Sequence, residues 1–276
     1  MLTVKPESEW KAWETGLFHL PESKYRPAPG VNQTALKAML RSPAHCRAAL
    51  DELREVTEAM LIGTLAHLAC LEPDSYGDGV SHFAKPTNMS FATKEGKEWR
   101  SAHNSLPIIT AADAANLDGM RDAVRSHEVA GRMIESGVCE VAAFTTCPKT
   151  GLPLKAKLDK LFVDGSGLVW IADLKKVQDA RDFQRQAVTF RYDLQSAFYR
   201  DVATACGLDI AGFLFLVVEE EKPHGILTYR ACAEFMTNGR RLYEGALEQY
   251  AICQMTGHWP GYAETVELLE LPAWAK

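Results

Sequence analysis

The stretch that decides the fold is Leu152-Pro-Leu-Lys-Ala-Lys-Leu-Asp-Lys-Leu-Phe-Val-Asp-Gly-Ser-Gly-Leu-Val-Trp-Ile-Ala-Asp-Leu-Lys175. Two alternating apolar runs in it end at Asp159 and Asp173, and the Gly-rich turn 164–167 between them is typical of a β-hairpin. Because side chains alternate faces along a strand, we expect Asp173 and Lys175 to point the same way. Two carboxylates at the ends of adjacent strands, with an amine beside them, suit a Mg²⁺ or Mn²⁺ site that hydrolyses phosphodiesters.

The composition is ordinary for a globular protein. The chain has 276 residues, of which 47% are hydrophobic and 24% are charged. It contains no run of about 18 apolar residues, and its first residues lack the apolar segment of a signal peptide, so we expect a cytoplasmic protein with no membrane partner. The seven cysteines form no C-x-x-C pair, which argues against an iron–sulfur cluster or a structural zinc site.

The charge is distributed unevenly along the chain. The net charge is −6, but residues 149–200 contain ten Lys or Arg and six Asp or Glu, so this segment carries +4 and the remainder −10. Two interpretations stay open: an ordinary solvated face, or a surface that binds phosphates.

Hydrophobic periodicity predicts one α/β domain. Residues 1–25 carry few apolar repeats and are predicted to be a loosely ordered leader, followed by a single domain over residues 26–276. Strands are predicted at 138–146, in the hairpin, at 212–218 and at 226–230. The predicted helices are 32–39, a helix from 42, 57–71, 94–103, 111–135 (open to a break near His127), 179–190, 193–206 and 232–257. This order predicts a central mixed β-sheet flanked by helices.

Other polar residues occupy positions that suit a functional site. His67 projects from a helix face of small residues and is either structural or a ligand. Glu140 opens the strand before the hairpin. Three roles stay open for it: a metal ligand, a base that orients water, or an ordinary strand-end glutamate. Tyr192, Gln195 and Tyr199 recur at helical spacing on one face. Core packing explains the tyrosines, but a buried Gln195 needs hydrogen-bond partners.

Together these motifs resemble the PD-(D/E)XK nuclease superfamily in its RecB-like branch. The shared pattern is G-x-x-x-H, a strand-end aspartate, D-x-K and Q-x-x-x-Y, represented here by Gly63 and His67, Asp159, Asp173 and Lys175, and Gln195 and Tyr199. The segments 40–45, 62–73 and 271–276 look like the catalytic domain of the exonuclease VIII (RecE) family. The likeness covers residues 26–276 and implies a restriction-endonuclease-like core.

The resemblance also implies a function. It would make the protein a Mg²⁺-dependent, ATP-independent 5′→3′ exonuclease that degrades one strand of linear double-stranded DNA and leaves 3′ overhangs. Mn²⁺ is expected to substitute for Mg²⁺. A RecT-type single-strand annealing protein would load on the overhangs, and the enzyme is expected to form a homo-oligomeric ring, by analogy a tetramer. A bacterial host cell, with a phage or prophage origin, is the implied setting.

The same resemblance assigns roles to individual residues. The divalent ions would be held by His67, Asp159, Asp173, the carbonyl of Leu174, and Glu140. Lys175 would orient the attacking water or neutralise charge on the phosphate. The catalytic residues are therefore expected to be Lys175, Asp173, Asp159 and Glu140. DNA contacts are expected from Gln195, Tyr199, Tyr192, Lys176, Arg181, Arg185 and Arg191.

One position departs from the family pattern. Lys176 stands where relatives usually have a threonine or another small residue. Strand alternation should turn it away from Lys175 and leave the metal site intact. A second ammonium could nonetheless lower the pKa of Lys175 and impair catalysis, or add a phosphate contact.

Three other functions stay open at this point. A Cas4-like or AddB-like nuclease would need an iron–sulfur cluster, against which the cysteine pattern argues. A structure-specific or restriction-type endonuclease would cut closed circular DNA. A DNA-binding module with a decayed site would bind DNA but no metal, and Lys176 is the main argument for it.

Overall fold

The computed structural model describes residues 2–12, 14–51, 56–263 and 265–271, so residues 272–276 of the terminal likeness lie outside the described residues. The described helices are α1 (Glu22–Tyr25), α2 (Gln33–Met39), α3 (Pro43–Asp51), α4 (Glu58–Leu71), α5 (Lys94–Ala102), α6 (Ala111–Ser126), α7 (Glu128–Glu135), α8 (Phe183–Thr189), α9 (Tyr192–Ala205) and α10 (Ala233–Thr256). The strands are β1 (Gly16–His19), β2 (Phe83–Lys85), β3 (Ile108–Thr110), β4 (Val138–Thr146), β5 (Pro153–Val163), β6 (Val169–Val177), β7 (Ile210–Glu219) and β8 (Ile226–Arg230). Among these helices, none combines the length and the apolar character needed to span a membrane.

The main sheet has the order β1-β4-β5-β6-β7-β8. β6 and β7 run parallel, and the other neighbouring pairs are antiparallel. A parallel pair needs a crossover connection, and α8 and α9 supply it. The short strands β2 and β3 form a separate parallel pair. The prediction of a mixed sheet flanked by helices is confirmed.

Helices cover both faces of the sheet because both faces are apolar. On one face, α2, α9 and α10 pack over a core that includes Leu158, Phe198 and Phe213, all essentially inaccessible to solvent. On the other face, α4 and α6 pack against β6 and β7 through a core that includes Leu65 and Leu117. Burying one side chain of this size contributes about 2 kcal/mol, so the two cores fix the strands between them.

Polar caps set the beginnings of the predicted helices. The side chains of Asn32, Thr57 and Thr110 each accept a hydrogen bond from the backbone N–H three residues further along. Ser42 accepts one from the N–H of His45 at the start of α3. Each cap of this kind stabilises a helix by about 1 kcal/mol. The helices therefore begin where the sequence predicts.

The hairpin of β5 and β6 opens at the two aspartates. β5 pairs with β6 only at 160–163 and 169–172, whereas β6 stays paired with β7 as far as Val177. Asp159 and Asp173 therefore lie inside their strands, and the prediction that they end the strands is wrong. The apolar alternation stops at each aspartate because Lys160 and Lys175 follow, but both lysines find partners and the strands continue.

The N-terminal segment contributes a strand that the sequence does not predict. β1 pairs antiparallel with β4 at the sheet edge, and Leu17 and Phe18 are buried. This part of residues 1–25 is therefore built into the sheet, where a loosely ordered leader was expected. A four-residue strand is too short to show the alternation that identifies strands from sequence.

A buried lysine ties the next segment to the sheet. The side chain of Lys155 in β5 lies 5% exposed, and its ammonium donates to three backbone carbonyls, those of Tyr25 at 3.1 Å, Arg26 at 2.9 Å and Ala28 at 2.6 Å. Three carbonyl acceptors replace the water that the ammonium loses on burial. Lys155 thereby holds residues 25–28 over β5, the strand that carries Asp159.

Candidate active site

Five polar side chains converge where β5 and β6 separate. α4 supplies His67, β4 supplies Glu140, β5 supplies Asp159, and β6 supplies Asp173 and Lys175. His67 Nδ1 lies 3.5 Å from Asp159 Oδ2 and 3.7 Å from Glu140 Oε1. One ligand atom from each of these three residues lies within 4.8 Å of the other two. His67, Glu140 and Asp159 thus form a candidate metal cluster.

Strand register and backbone strain place Glu140 in this cluster. β4 and β5 pair antiparallel on both sides of Glu140, and their register sets it opposite Asp159. The φ angle of Glu140 is 52°, in the left-handed region, which costs a non-glycine residue about 1–2 kcal/mol. Strain of this kind inside a strand is characteristic of functional positions, which favours the ligand or base interpretation of Glu140 over that of an ordinary strand-end glutamate.

The helix α4 presents His67 from a face of small residues, as predicted. A Cβ atom added at Gly63, one turn before His67, would meet no atom within 4 Å. Gly63 and Thr64 line the same cleft as His67 and Glu140. The small side chains leave room for a ligand next to the imidazole.

Asp173 adjoins the metal cluster and is held by two partners. Its side chain is 1% exposed, and Lys175 forms an ion pair with its Oδ2. Gln195 Nε2 donates to its Oδ1 at 2.7 Å. Asp173 and Lys175 therefore point the same way, as predicted, and Gln195 has the partner that its burial requires. In this arrangement Asp173 is not a member of the cluster, because the Lys175 ammonium occupies the oxygen that an ion would take.

The backbone of Leu174 faces the opening between β5 and β6. Its N–H donates to Asp159 Oδ2 at 2.9 Å, instead of to the backbone of a neighbouring strand. In a strand, the N–H and C=O of one residue point to the same side. The carbonyl of Leu174 is therefore directed toward the Asp159 side, where the sequence analysis places it as a ligand.

Crowded charges shift the pKa values of the site. Burial, and then the charge of Asp173, raise the pKa of Asp159 to about 7. Burial lowers the pKa of His67, but the carboxylates of Asp159 and Glu140 outweigh it and raise the value to about 9. Burial also opposes the charge of Lys175, yet Asp173 and Asp159 raise its pKa. The buried carboxylates would gain from a further cation between them.

The donor set fits a hard divalent cation. Carboxylate and carbonyl oxygens are the ligands that Mg²⁺ and Mn²⁺ prefer, and imidazole nitrogen is also a ligand of first-row divalent metals. Asp159 is only 12% exposed on its side chain, and its pKa is raised by burial and then by Asp173, so a cation next to it would favour its charged form. The protein therefore has a possible acidic metal site at His67, Glu140 and Asp159.

The aromatic residues of α9 form a wall beside the site. Tyr199 is 7% exposed, and burial raises its pKa well above the ordinary value. The ring centre of Tyr192 lies 4.7 Å from Lys175 Nζ. Gln195, between them on the helix, reaches Asp173. The structure thus brings all three predicted residues to the site, with Gln195 on a carboxylate.

The predicted phosphate ligands are dispersed. Lys176 lies on the face opposite Lys175, as alternation predicts, and pairs with Glu220 at 2.6 Å. Arg181 and Arg185 are exposed and pair with acids two and three residues before them in sequence. Arg191, in the left-handed region at φ 53°, has no acidic partner within the described chain. None of the three arginines contacts the acidic cluster in the described arrangement.

Sequence reasoning misses cations that do lie near the site. A cleft of about 880 Å³ runs past His67 and Glu140 and is also lined by Lys157 and Arg26. Lys157 Nζ lies 3.4 Å from Glu140 and 3.3 Å from Glu22. Strand alternation could have found Lys157, which is two residues before Asp159 in β5. No sequence signal marks Arg26, because its position depends on the segment that Lys155 holds.

Comparison with known proteins identifies the family. A family model described as a PDDEXK-like domain of unknown function (DUF3799) matches residues 32–272. The crystal structure of a candidate exonuclease from Eubacterium rectale has a similar fold, with a TM-score of 0.62 and 13% sequence identity over 92% of this chain and 96% of that chain.

Two further results bear less on the fold. The structure of SSO0001 aligns with a TM-score of 0.32 and 11% identity over 71% of this chain and 93% of that chain, which is too low to support an argument. No curated protein matches the chain significantly. The family match spans the cluster of His67, Glu140 and Asp159 together with the D-x-K and Q-x-x-x-Y motifs, and the chain belongs to the DUF3799 family of PDDEXK-like domains.

Proposed function

We propose that this protein is a divalent-metal-dependent 5′→3′ exonuclease that degrades one strand of linear double-stranded DNA without ATP. The observation that carries the proposal is the opening between β5 and β6, where His67, Glu140 and Asp159 converge beside Lys175. An acidic metal cluster next to an amine is suited to phosphodiester hydrolysis. The polarity of digestion and the 3′ overhangs rest on the likeness to the exonuclease VIII family.

The residues of the site divide the chemistry between them. His67, Glu140, Asp159 and the Leu174 carbonyl would hold Mg²⁺ or Mn²⁺, which supplies Lewis acidity toward the phosphate and acidifies a coordinated water. Lys175 would release Asp173 when DNA binds and donate to the attacking water or to the phosphate oxygen that gains charge. Asp173 would then be free to join the ion.

Gln195 keeps Asp173 in place through this exchange. Its amide binds Oδ1 and leaves Oδ2 to the ammonium or to an ion. The buried hydroxyl of Tyr199 belongs to the same wall. The amide thus fixes one oxygen of a carboxylate whose other oxygen must change partners, which explains a glutamine in this buried position.

The cleft beside the cluster is the proposed path of the DNA strand. Arg26 and Lys157 line it and would meet backbone phosphates, which position a strand without reading its sequence. Glu22 now bridges these two cations, with Arg26 Nε at 3.0 Å and Lys157 Nζ at 3.3 Å. The pair of Glu22 and Arg26 is exposed and contributes about 0–1 kcal/mol, so a phosphate can displace the Glu22 carboxylate from Arg26 at little cost. Arg191, which has an exposed side chain, is a further candidate contact.

The cellular partners are proposed from the resemblance. A RecT-type annealing protein would receive the 3′ overhang, and a homo-oligomeric ring would encircle the duplex. The protein would act in the cytoplasm of a bacterial cell that carries a phage or prophage. The alternative of a decayed site has less support, since Lys176 pairs with Glu220 away from Lys175.

Digestion of end-labelled duplexes tests the proposal. Linear DNA labelled at either the 5′ or the 3′ end is incubated with Mg²⁺ or with EDTA, beside covalently closed circular DNA. We expect early release of the 5′ label, retention of the 3′ label in a long strand, no reaction in EDTA, and intact circles. Cut circles would make the protein an endonuclease, and intact linear DNA would refute the proposal.

A pair of aspartate variants ties that activity to the site. Asp173→Asn should lose on the order of 10²-fold or more in rate, because its charge pairs with Lys175 and would help to hold the ion. Asp179→Asn, which removes the same charge from an exposed pair with Arg181, should keep the wild-type rate. Equal rates for the two variants would separate the activity from this site.

A further inference from the structure

Lys37 is a cation beside the active site that belongs to none of the sequence motifs. It lies in α2, and its Nζ is 5.2 Å from the ring centre of Tyr192. Lys175 Nζ lies 4.7 Å from the centre of the same ring. The two distances limit the separation of the two nitrogens to 9.9 Å. The two ammonium groups therefore lie near the same aromatic ring, next to the metal cluster.

The charge of Lys37 lacks a partner. Lys175 is paired with Asp173, whereas Lys37 makes no ion pair and no side-chain hydrogen bond with any of the described residues. Asp193, an acid that acts on Lys37 from α9, already accepts from Asn238 at 2.6 Å and from the N–H of Leu194 at 2.8 Å. Lys37 is half-buried, and even partial burial of a cation without a counter-charge is unfavourable, so the position needs an explanation other than stability.

The electrostatics of the site favour the binding of an anion next to Lys37. Burial, and then the like charge of Lys175, lower the pKa of Lys37 to about 7, against smaller opposing effects of Asp173 and Asp193. A lysine shifted in this way by desolvation and a neighbouring cation is typical of functional sites. An anion that bound between the two ammonium groups would raise the pKa again and stabilise both charges.

The packing of α2 places its first turn at the cleft and Lys37 against Tyr192. Leu36 and Met39 anchor the helix in the core. Gln33, one turn before Lys37 on the same helix face, lines the cleft that passes the metal cluster. The side-chain Oε1 of Gln33 is buried without a hydrogen-bond partner among the described residues. Lys37 thus lies one helical turn from a residue that lines the cleft.

We propose that Lys37 binds a phosphate oxygen of the DNA strand being cut, as the second cation of a subsite whose first cation is Lys175. The inference rests on the proposed function and adds a substrate contact to it. His67, Glu140 and Asp159 would hold the ion on one side, and Lys37 and Lys175 would hold the phosphate on the other. The phosphate contacted is either an internal one or the terminal 5′-phosphate.

Binding of short duplexes without cleavage tests the contact. Affinity is measured in Ca²⁺ for wild type, Lys37→Met and Lys37→Arg, over a range of salt concentrations. Lys85→Met is the matched control, because Lys85 also faces an aromatic ring, with Nζ 5.3 Å from the centre of Phe91. We expect Lys37→Met to bind about tenfold more weakly with a salt slope reduced by about 1. Lys37→Arg should retain most of the affinity, and Lys85→Met all of it.

Neutralised duplexes then locate the phosphate and separate contact from structure. Single methylphosphonates replace the first three linkages in turn, and one duplex carries a 5′-hydroxyl in place of the 5′-phosphate. The defect of Lys37→Met should vanish on the one duplex that lacks the contacted charge. A defect that persists on every neutralised duplex would mean a structural role and would overturn the inference, as would unchanged affinity and salt slope.

Two further readouts keep the result interpretable. Removing an unpartnered, half-buried cation should leave the unfolding temperature of Lys37→Met equal to or above that of the wild type. A misfolded variant is therefore recognised at once, and Lys37→Gln then takes its place. Wild-type protein that binds and cuts duplexes while both neutral variants bind equally well refutes only the Lys37 contact. Wild-type protein that binds no duplex at all refutes the contact and the proposed function together.

Discussion

Replacing Asp159 with asparagine should stabilise the metal-free protein, because the ionised carboxylate is unfavourable in the folded site. Its pKa is raised from 3.8 to about 7, by burial and then by Asp173. Between these two pH values the folded state binds more protons than the unfolded state, so stability falls as the pH rises through this window. At about 1.4 kcal/mol per pKa unit, the raised pKa of Asp159 lowers the free energy of unfolding by ~4 kcal/mol at pH 8 and by ~2 kcal/mol at pH 5. Asparagine keeps an acceptor for the N–H of Leu174 and carries no charge.

Thermal unfolding in EDTA measures this effect. For a chain of this length, ~1 kcal/mol corresponds to ~2 °C, so Asp159→Asn should unfold up to about 8 °C higher at pH 8 and gain about half as much at pH 5. A concentration of Mn²⁺ at 100 times Kd should add ~2.7 kcal/mol to the wild type and little to the variant. The difference in unfolding temperature between Asp159→Asn and the wild type should therefore be smaller in Mn²⁺ than in EDTA.

A matched aspartate provides the control. Asp201 accepts from Arg240 at 2.7 Å and from the hydroxyl of Tyr243 at 2.5 Å in an ordinary ion pair, so Asp201→Asn should unfold at a lower temperature. If Asp159→Asn also unfolds below the wild type in EDTA at pH 8, Asp159 forms a favourable pair with His67. The reasoning that the acids await a cation would then be refuted.

Three further predictions follow from the site and its support. Mn²⁺ affinity, measured by calorimetry, should rise with pH. Each ion should release about two protons below pH 7 and about one between pH 7 and 9, because it displaces the protons of Asp159 and of His67. A pH-independent affinity contradicts these assignments. Gln195→Ala should lower the single-turnover rate about tenfold with unchanged duplex affinity, since Gln195 holds Asp173; lost affinity would instead indicate a nucleotide contact. Lys155→Met should lower the free energy of unfolding in urea by about 3 kcal/mol, because three carbonyls lose their donor; an unchanged midpoint would show that water replaces it.

The sequence predicts the elements whose signals are local. Apolar alternation and a Gly-rich turn suffice for the hairpin of β5 and β6, and capping residues suffice for the starts of α2, α3, α4 and α6. The strands β1, β2 and β3 are not predicted, because a strand of three or four residues is too short to show an alternating apolar pattern. Asp159 and Asp173 were placed at strand ends because the apolar pattern stops there, although the hydrogen bonding does not.

The site is predictable as a set of residue types but not as a geometry. The motifs identify His67, Asp159, Asp173 and Lys175, and the structure brings them together. The ion pair between Lys175 and Asp173 depends on the separation of two strands, and no local pattern encodes that separation. Lys37 reaches the site only through the packing of α2 against the sheet, so it follows from the tertiary structure alone.

Cleavage at full metal occupancy by wild type and Lys175→Met tests the central claim most directly. Lys175 lies next to the metal cluster and is not a member of it, so the variant should take up Mn²⁺, as measured by calorimetry, and bind duplex DNA. We predict that the saturated wild type hydrolyses linear duplex DNA and that the saturated variant is slower by on the order of 10²-fold or more. Saturated wild type that leaves every DNA substrate intact, or a saturated variant as fast as the wild type, would contradict the account.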